Sequence, residues 1–339
     1  MEQGLWELAD LLGEYGEKVD ILPSPKEAIE KAMSGNFEFS FKGFLLGVVK
    51  ALLTALTDNA MPIGAIVAVA FACALCMTAA DCDTPPWSDS LMIAMGIALA
   101  VPCATAFMEV IASAEQFFSD LEALNLGIVP ALATVAVPVQ SGVFLLATQM
   151  MAQLMKYVFL PGAVIYGVLG FSGAFHDRFA LGKVGEAVKS CYTWGLGLVM
   201  LVFSAVTAGA GIVSGTATSL AVKTVKYTAS SAVPVVGRYL SESADLVASG
   251  AALVKSAAGV GCCVALAGVC LMPFLKMFAF MLLFKLTSVA IKPVLDARLC
   301  AVADTVGEAV SMIMGAVALM CVFSFISIAV IVGAGVNGL

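Results

Sequence analysis

One stretch near the end of the chain, residues 310–333, reads VSMIMGAVALMCVFSFISIAVIVG. It contains no Asp, Glu, Lys or Arg. A helix rises ~1.5 Å per residue, so a stretch of this length spans the ~30 Å hydrocarbon core of a bilayer. We therefore predict a transmembrane helix here, and this prediction decides the fold class.

The composition of the whole chain agrees with that prediction. Of the 339 residues, 61% are hydrophobic and 12% are charged, and the mean hydropathy is +1.02. Soluble domains are about 45–50% apolar and about 25% charged. The net charge of −7 argues against a nucleic-acid partner, which needs a basic surface. We predict an all-α, polytopic membrane protein.

Further apolar stretches upstream bring the expected number of transmembrane helices to seven or eight, with amphipathic or interfacial helices in addition. The region from Ala123 to Ser172 is too long for one span and is predicted to hold two, with breaks near Pro138 and Pro161. A short polar helix is predicted over 112–121, and an interfacial or re-entrant helix over 277–294. The remaining spans are predicted at Phe41–Thr57, Met61–Ala80, Leu91–Ile111, Cys191–Val213 and Ala257–Leu275.

Four regions follow from this pattern. Residues 1–40 form an acidic, amphipathic helical region, in which Ser24, Pro25 and Glu27 make a capping-box helix start. Residues 41–213 hold the N-terminal transmembrane helices. Residues 214–256 form a polar, amphipathic segment, which we expect outside the cytoplasm. Residues 257–339 form a C-terminal transmembrane region that includes the interfacial helix 277–294.

The charges are distributed unevenly. Residues 1–155 carry five Lys or Arg and 17 Asp or Glu, whereas residues 156–339 carry 12 and seven. Basic residues mark the cytoplasmic side of a membrane protein. The basic stretches at 176–189 and 285–298 are therefore expected in the cytoplasm, and the acidic N terminus, the acidic turn at 81–89 and segment 214–256 on the opposite side.

Charged residues within apolar stretches are the main functional signal. In the first predicted span, Lys50 shares a face with Thr54, and we expect this face to turn toward a protein interior or a water path rather than the bilayer interface. Lys285 and Lys292 are further candidates for a polar path or a partner contact. Snorkelling at helix ends explains Glu109, Lys156 and Lys276 more simply.

Enzyme chemistry is not indicated. The single histidine, His176, has no Ser or Cys nearby in a catalytic pattern, and no P-loop, GxSxG or HExxH motif occurs. The pairs Cys73/Cys76 and Cys262/Cys263 lie in apolar stretches, where thiols pack as small hydrophobic groups. We expect no catalytic residues, no metal site and no cofactor.

Segment 214–256 carries a family resemblance. The motifs TAT at 216–218, TVKY at 224–227 and VPVVG at 233–237, followed by Ser241 and Asp245, resemble the stage III sporulation protein AE family. The motifs FKL at 284–286, IKPV at 291–294 and IVGAG at 331–335 are similar to later family segments. The resemblance extends in order over roughly 160–335.

This resemblance implies a function that composition alone does not. The family's proteins are multi-pass components of the mother-cell membrane that faces the forespore in endospore-forming bacteria. With the other stage III sporulation A proteins and stage II sporulation protein Q they build a transenvelope complex, which the forespore needs after engulfment. Candidate contact residues in the segment are Lys223, Lys226, Pro234, Gly237, Arg238, Glu242 and Asp245.

Two other functions stay open on the sequence. Buried lysines and many spans are also typical of a secondary transporter for a small solute, although the two halves show no convincing internal repeat. An inner-membrane subunit of another secretion system is the second alternative. The many glycines, such as Gly195 and Gly197, allow close helix packing, either within the chain or between copies in a homo-oligomer.

Overall fold

The computed structural model describes residues 22–33, 41–80, 88–133, 138–175, 181–214, 257–292 and 297–336. Every regular element in these ranges is helical, in agreement with the predicted all-α fold. A π-helical turn, Met155–Phe159, joins α5 to α6. The helices are α1 Pro25–Met33, α2 Phe41–Asp58, α3 Ala60–Ala80, α4 Ser88–Ala133, α5 Pro138–Leu154, α6 Leu160–Phe175, α7 Leu181–Ser214, α8 Ala257–Ile291 and α9 Ala297–Val336.

Helix α9 lies at the centre of the bundle. It contacts each of the five helices α4 to α8, and its side chains are buried on nearly all sides. Phe323 of α9 stacks on Phe203 of α7 with ring centroids 4.1 Å apart. A helix that is apolar all round is expected in such a central position. The stretch 310–333 therefore forms the core of the bundle.

The start of α1 confirms the predicted capping box position. The Ser24 hydroxyl oxygen accepts a hydrogen bond from the Glu27 backbone N–H at 3.3 Å. Ala28 and Ile29 are buried, and α1 packs against α8. Helix α1 thus belongs to the same packed unit as the apolar helices.

Contacts across the bundle give the direction of each helix relative to α9. Tyr166 of α6 reaches Glu308 and Thr148 of α5 reaches Ser327, so α5 and α6 run antiparallel to α9. Helix α8 is also antiparallel to α9, whereas α4 and α7 run in the same direction as α9. The helix ends that bound 176–180 and 293–296 therefore lie at one end of the bundle, and those that bound 215–256 lie at the other.

The helix ends that border the two basic stretches thus lie at the same end, as the charge distribution predicts. Helix α4 runs with α9, so its start at Ser88 lies at this end too, which contradicts the prediction that the acidic turn at 81–89 lies opposite the basic stretches. The membrane side that this end faces stays a prediction. The segment 214–256 lies outside the described residues except for Ser214, which ends α7.

The number of candidate spans is smaller than predicted. In the described part of the chain, five helical stretches are long and apolar enough to cross a membrane, instead of seven or eight. They are Ile93–Gly127, Leu146–Gly170, Lys183–Val206, Gly259–Ile291 and Cys300–Val330. A shorter apolar stretch, Gly64–Cys76, lies within α3.

Two predicted breaks are absent because the polar stretches are amphipathic. The short helix predicted at 112–121 is part of the continuous helix α4, where Phe117 and Phe118 are buried while Glu115 is exposed. The interfacial helix predicted at 277–294 is likewise continuous with the preceding span as α8, which contains Pro273. One face of each stretch stays in the core, so the helix has no reason to end.

The link between α2 and α3 also differs from the prediction of two separate spans. Only Asn59 lies between the two helices, and its side-chain amide donates a 2.6 Å hydrogen bond to the Ala55 carbonyl. A single linking residue does not let the chain reverse direction across a bilayer. The two helices in Phe41–Ala80 therefore cross the membrane at most once.

A helix distortion replaces the break predicted near Pro161. The chain stays helical there, but the Leu160 backbone N–H bonds to the Met155 carbonyl, five residues earlier. Proline lacks the backbone N–H and its ring crowds the preceding turn, and π-helical turns are a common way to accommodate such local disruption. The predicted break near Pro138 falls where α5 begins.

Glycine lets α6 approach α9 closely. A Cβ atom on Gly170 would lie 1.9 Å from Cγ2 of Thr305. On α7, a Cβ on Gly195 would lie 3.2 Å from the Phe159 ring, whereas one on Gly197 would meet nothing within 4 Å. Gly195 thus serves packing within the chain, while Gly197 faces open space.

Candidate functional site: an ion-pair cluster beside the α8–α9 connection

Two carboxylates lie one turn apart near the start of α9, and each forms an ion pair with a lysine of another helix. Lys292 at the end of α8 lies with Nζ 3.2 Å from Oδ2 of Asp304. Lys189 of α7 lies with Nζ 2.8 Å from Oε2 of Glu308. These pairs connect three helices at the end of the bundle where the two basic stretches meet.

Two hydroxyl groups complete the hydrogen bonding of these carboxylates. The Tyr166 hydroxyl of α6 donates to Oε2 of Glu308, and the Ser288 hydroxyl of α8 donates to Oδ1 of Asp304. Lys189 also lies over the Tyr166 ring, with Nζ 6.0 Å from its centroid, at the limit for a cation–π contact. We call Tyr166, Lys189, Ser288, Lys292, Asp304 and Glu308 the turn cluster.

The turn cluster neutralises charge rather than exposing a reactive group. Its charged side chains are about half exposed, at 45–54% of their full accessible surface. Such pairs contribute roughly 0–1 kcal/mol each in water. Within a bilayer an unpaired charge costs about 2.5–3.5 kcal/mol or more, so pairing matters more there. The cluster is suited to hold α6, α7, α8 and α9 together at this end.

A second polar set links α4, α5 and α9 further along the bundle. The Asn125 side-chain amide donates to the Ser324 hydroxyl at 3.2 Å, and the Thr148 and Ser327 hydroxyls lie 2.9 Å apart. Both contacts are buried. Closer to the surface, Gln153 donates to Glu122 at 2.9 Å and Lys156 donates to Ser119 at 3.0 Å.

These contacts satisfy the polar side chains in the core. In the described ranges, no buried side-chain nitrogen or oxygen lacks a hydrogen-bond partner. Hydrogen bonds between membrane helices contribute about 0.6 kcal/mol on average. The second set therefore fixes the register of α4 and α5 on α9.

The structure places Lys50 and Thr54 on the exposed face of α2. The Thr54 hydroxyl donates to the Lys50 backbone carbonyl at 3.0 Å, within the same helix. The packed face of α2 is instead formed by residues such as Val48 and Leu52. We had expected the Lys50 face to turn toward a protein interior or a water path. In the single chain this face does not point into the interior of the bundle.

Two other predicted residues belong to α8 or its end. Lys292 belongs to the turn cluster, whereas Lys285 is exposed on α8 and its side-chain stem lies near Gly307. The remaining candidates lie outside the described residues. They are Lys223, Lys226, Pro234, Gly237, Arg238, Glu242 and Asp245.

Sequence reasoning missed most of the turn cluster. Asp304 and Glu308 are spaced four residues apart directly before the uncharged stretch 310–333, which was the available signal. Their partner Lys189 is 119 residues away from Glu308 in the chain, and no local pattern joins them. Two acidic residues on one helical face, just ahead of a span, predict a need for basic partners.

No metal site emerges from the described part of the chain, where no group of three or more His, Cys, Asp or Glu side chains could hold an ion. Cys73 is buried and Cys76 is exposed, so these two thiols face different surroundings. His176 lies outside the described residues.

The fold and the clusters define a helical bundle with five candidate membrane spans and polar contacts that connect those spans. The family model for stage III sporulation protein AE matches residues 24–335. The chain therefore belongs to the stage III sporulation protein AE family, as the resemblance implies.

A similar protein is known in Bacillus subtilis (strain 168). The stage III sporulation protein AE of that organism is 20% identical to this chain, over 96% of this chain and 84% of the relative. Comparison with solved structures finds no significant match. Family membership implies a role in sporulation.

Proposed function

We propose that this chain is a multi-pass subunit of the transenvelope complex that joins mother cell and forespore, and that the forespore needs it after engulfment. It would lie in the mother-cell membrane that faces the forespore. Its partners would be the other stage III sporulation A proteins and stage II sporulation protein Q. The observation that carries the proposal is the family match over nearly the whole chain.

The architecture supports a structural rather than a catalytic role. α9 fills the middle of the bundle, and the polar side chains around it bond to one another. A passage for solutes would therefore have to run between chains rather than through this bundle. The proposal assigns the chain no enzymatic activity, cofactor or nucleic-acid partner.

The test is deletion of the gene in its sporulating host. We expect heat-resistant spores and late forespore transcription to be lost, while engulfment and early forespore transcription continue. The wild-type gene supplied at a second site is the control and should restore both. Normal spore yield in the deletion strain would contradict the proposal.

Localisation and partners are tested separately. A fluorescent fusion should concentrate in the membrane around the forespore, and a tagged chain should capture the partner proteins from engulfed cells. Uniform fluorescence in all membranes, with no partner captured, would contradict the complex. Substrate-dependent uptake into vesicles by the isolated chain would favour the transporter alternative.

A further inference from the structure

The outer face of α4 carries carboxylates at the depth of the uncharged part of α9. A Cβ on Gly167 would touch both the Phe107 ring of α4, at 3.0 Å, and Ala309 of α9, at 3.5 Å. Further along, Asn125 of α4 bonds to Ser324 of α9. The part of α4 between Phe107 and Asn125 therefore runs beside residues 309–324 of α9, inside candidate spans of both helices.

Glu109 is the first carboxylate on this face, and its side chain has no partner among the described residues. Its side chain is exposed near the middle of α4, not at a helix end, so snorkelling does not explain it. Its carboxylate forms no ion pair or hydrogen bond with any residue in the described ranges; only its backbone carbonyl accepts a bond, from the Ser113 hydroxyl at 2.8 Å. Lys156 binds Ser119, ten residues or about 15 Å further along α4, and is too distant to help.

A lysine without a partner lies at nearly the same depth on another helix. Lys285 of α8 is exposed, its stem lies near Gly307 of α9, and it forms no ion pair with any described residue. Helical side chains lean toward the N terminus of their own helix. Because α4 runs with α9 and α8 runs against it, this lean moves the Glu109 carboxylate and the Lys285 amine toward one depth.

We propose that Glu109 of one copy of this chain pairs with Lys285 of a neighbouring copy within the membrane. Each charge alone would be costly in lipid, and pairing removes both costs at once. Copies related by rotation about the membrane normal keep every residue at its depth, so groups at matched depth can meet. A Glu109–Lys285 contact that is repeated from copy to copy in this way is head-to-tail, and it closes into a ring when the rotation allows.

The inference goes beyond the proposed function, because it concerns how copies assemble and not what the complex does. It takes as given that α9 lies in the bilayer. The competing explanation for an exposed carboxylate at this depth is that the α4 face lines water, and the experiment separates the two.

The experiment uses charge reversal in two full-length copies that carry different affinity tags and are expressed together. We expect the wild-type copies to capture each other from mild detergent. Glu109→Lys or Lys285→Glu, each introduced into both copies, should reduce capture by about tenfold or more, because like charges at an interface are strongly unfavourable. The double variant Glu109→Lys/Lys285→Glu should restore capture to near the wild-type value.

Lys183→Glu is the matched control, since Lys183 is an exposed lysine on α7. It should leave capture unchanged. A zero-length carbodiimide cross-linker should join the wild-type copies through an amide between Glu109 and Lys285. Lys285→Arg keeps the charge but cannot form that amide, so it should keep capture and lose this cross-link.

Three outcomes would overturn the proposal. The wild-type copies would fail to capture each other; or the single reversals would have no effect; or the double reversal would fail to restore capture. Labelling of a Met108→Cys variant, which keeps Glu109 and carries the thiol at the adjacent exposed position, by a membrane-impermeant maleimide in the assembled protein would assign the α4 face to water instead. Capture and spore yield are measured independently, so failure here is distinguishable from failure of the proposed sporulation role.

Discussion

The turn cluster and the outer face of α4 both place carboxylates inside candidate membrane spans. Both carboxylates of the turn cluster have partners, whereas the side chain of Glu109 on α4 has none in the described part of the chain. Glu308 receives Lys189 and Tyr166 from two other helices of the same chain. Glu109 receives no partner in the described ranges, although Lys285 lies at a similar depth on α8. The same residue type therefore has two different roles in one bundle.

Carboxylates with and without partners in the chain are expected to affect different properties: the stability of the monomer and the association of copies. Charges that are paired within the chain hold its helices together, so their loss should weaken the folded monomer. Charges that are unpaired within the chain do not stabilise the folded monomer. The free-energy cost of such a charge in lipid is tolerated only if another molecule or water interacts with it. Four substitutions test this difference, and they follow in decreasing order of expected effect.

The largest effect is expected when α6 is forced away from the turn cluster. Gly170→Val would put side-chain atoms into the space of Thr305, where a Cβ alone lies 1.9 Å from Cγ2. Overpacking of this kind costs about 1–3 kcal/mol or more, and it would also separate Tyr166 from Glu308. Thermal unfolding in mild detergent measures the loss. Gly197→Val, which meets nothing within 4 Å, is the control and should unfold as the wild type does.

A smaller effect is expected when the turn cluster loses one carboxylate. Glu308→Gln removes the charge that binds Lys189 and Tyr166, and leaves Lys189 without its counter-ion. The pair is about half exposed, so we expect a loss of about 1–2 kcal/mol. A double-mutant cycle with Lys189→Met should show coupling between the two sites. Additive effects would mean that the pair does not stabilise the fold.

A still smaller effect is expected at the buried contact between α4 and α9. Ser324→Ala removes the acceptor of the Asn125 amide and leaves that donor without its partner in the core. We expect a loss of about 1 kcal/mol. Replacing both residues, with Asn125→Leu added, should recover part of it. Equal stability of the single variant and the wild type would show that Asn125 finds another acceptor.

The smallest effect on the monomer is expected at the outer face of α4. Glu109→Gln removes no contact within the described chain, so the unfolding free energy should change by less than about 0.5 kcal/mol. The same substitution should weaken association between copies. If Glu109→Gln lowered monomer stability as much as Glu308→Gln does, the claim that Glu109 has no stabilising partner within the chain would be wrong.

Local patterns predicted much of the fold. The all-α class, the helix start at Ser24 and the new helix at Pro138 follow from hydropathy, capping and proline, which act over a few residues. The charge distribution also predicted that the two basic stretches share one end. These features need no knowledge of what packs against them.

The predicted number of spans was too high, because local sequence patterns do not show which helix packs against a charged stretch. Glu109, Glu115 and Asp120 look like the end of a span in sequence, yet Phe117 and Phe118 hold that part of α4 in the core. Only the position of α9 beside α4 decides that the helix continues. Packing also decides the position of Lys50, which is exposed on the single chain because α2 packs through its Val48 side; the predicted protein interior or water path around Lys50 stays a prediction.

The sequence by itself determined that this chain is helical, mostly apolar and a member of one sporulation family, because composition, periodicity and motifs are properties of neighbouring residues. The tertiary structure decided which charges are paired. Lys189 and Glu308 are 119 residues apart, and Glu109 and Lys285 remain without partners in the described chain. Electrostatic pairing depends on distance in space, and folding sets that distance through the packing of α4, α6, α7 and α8 around α9.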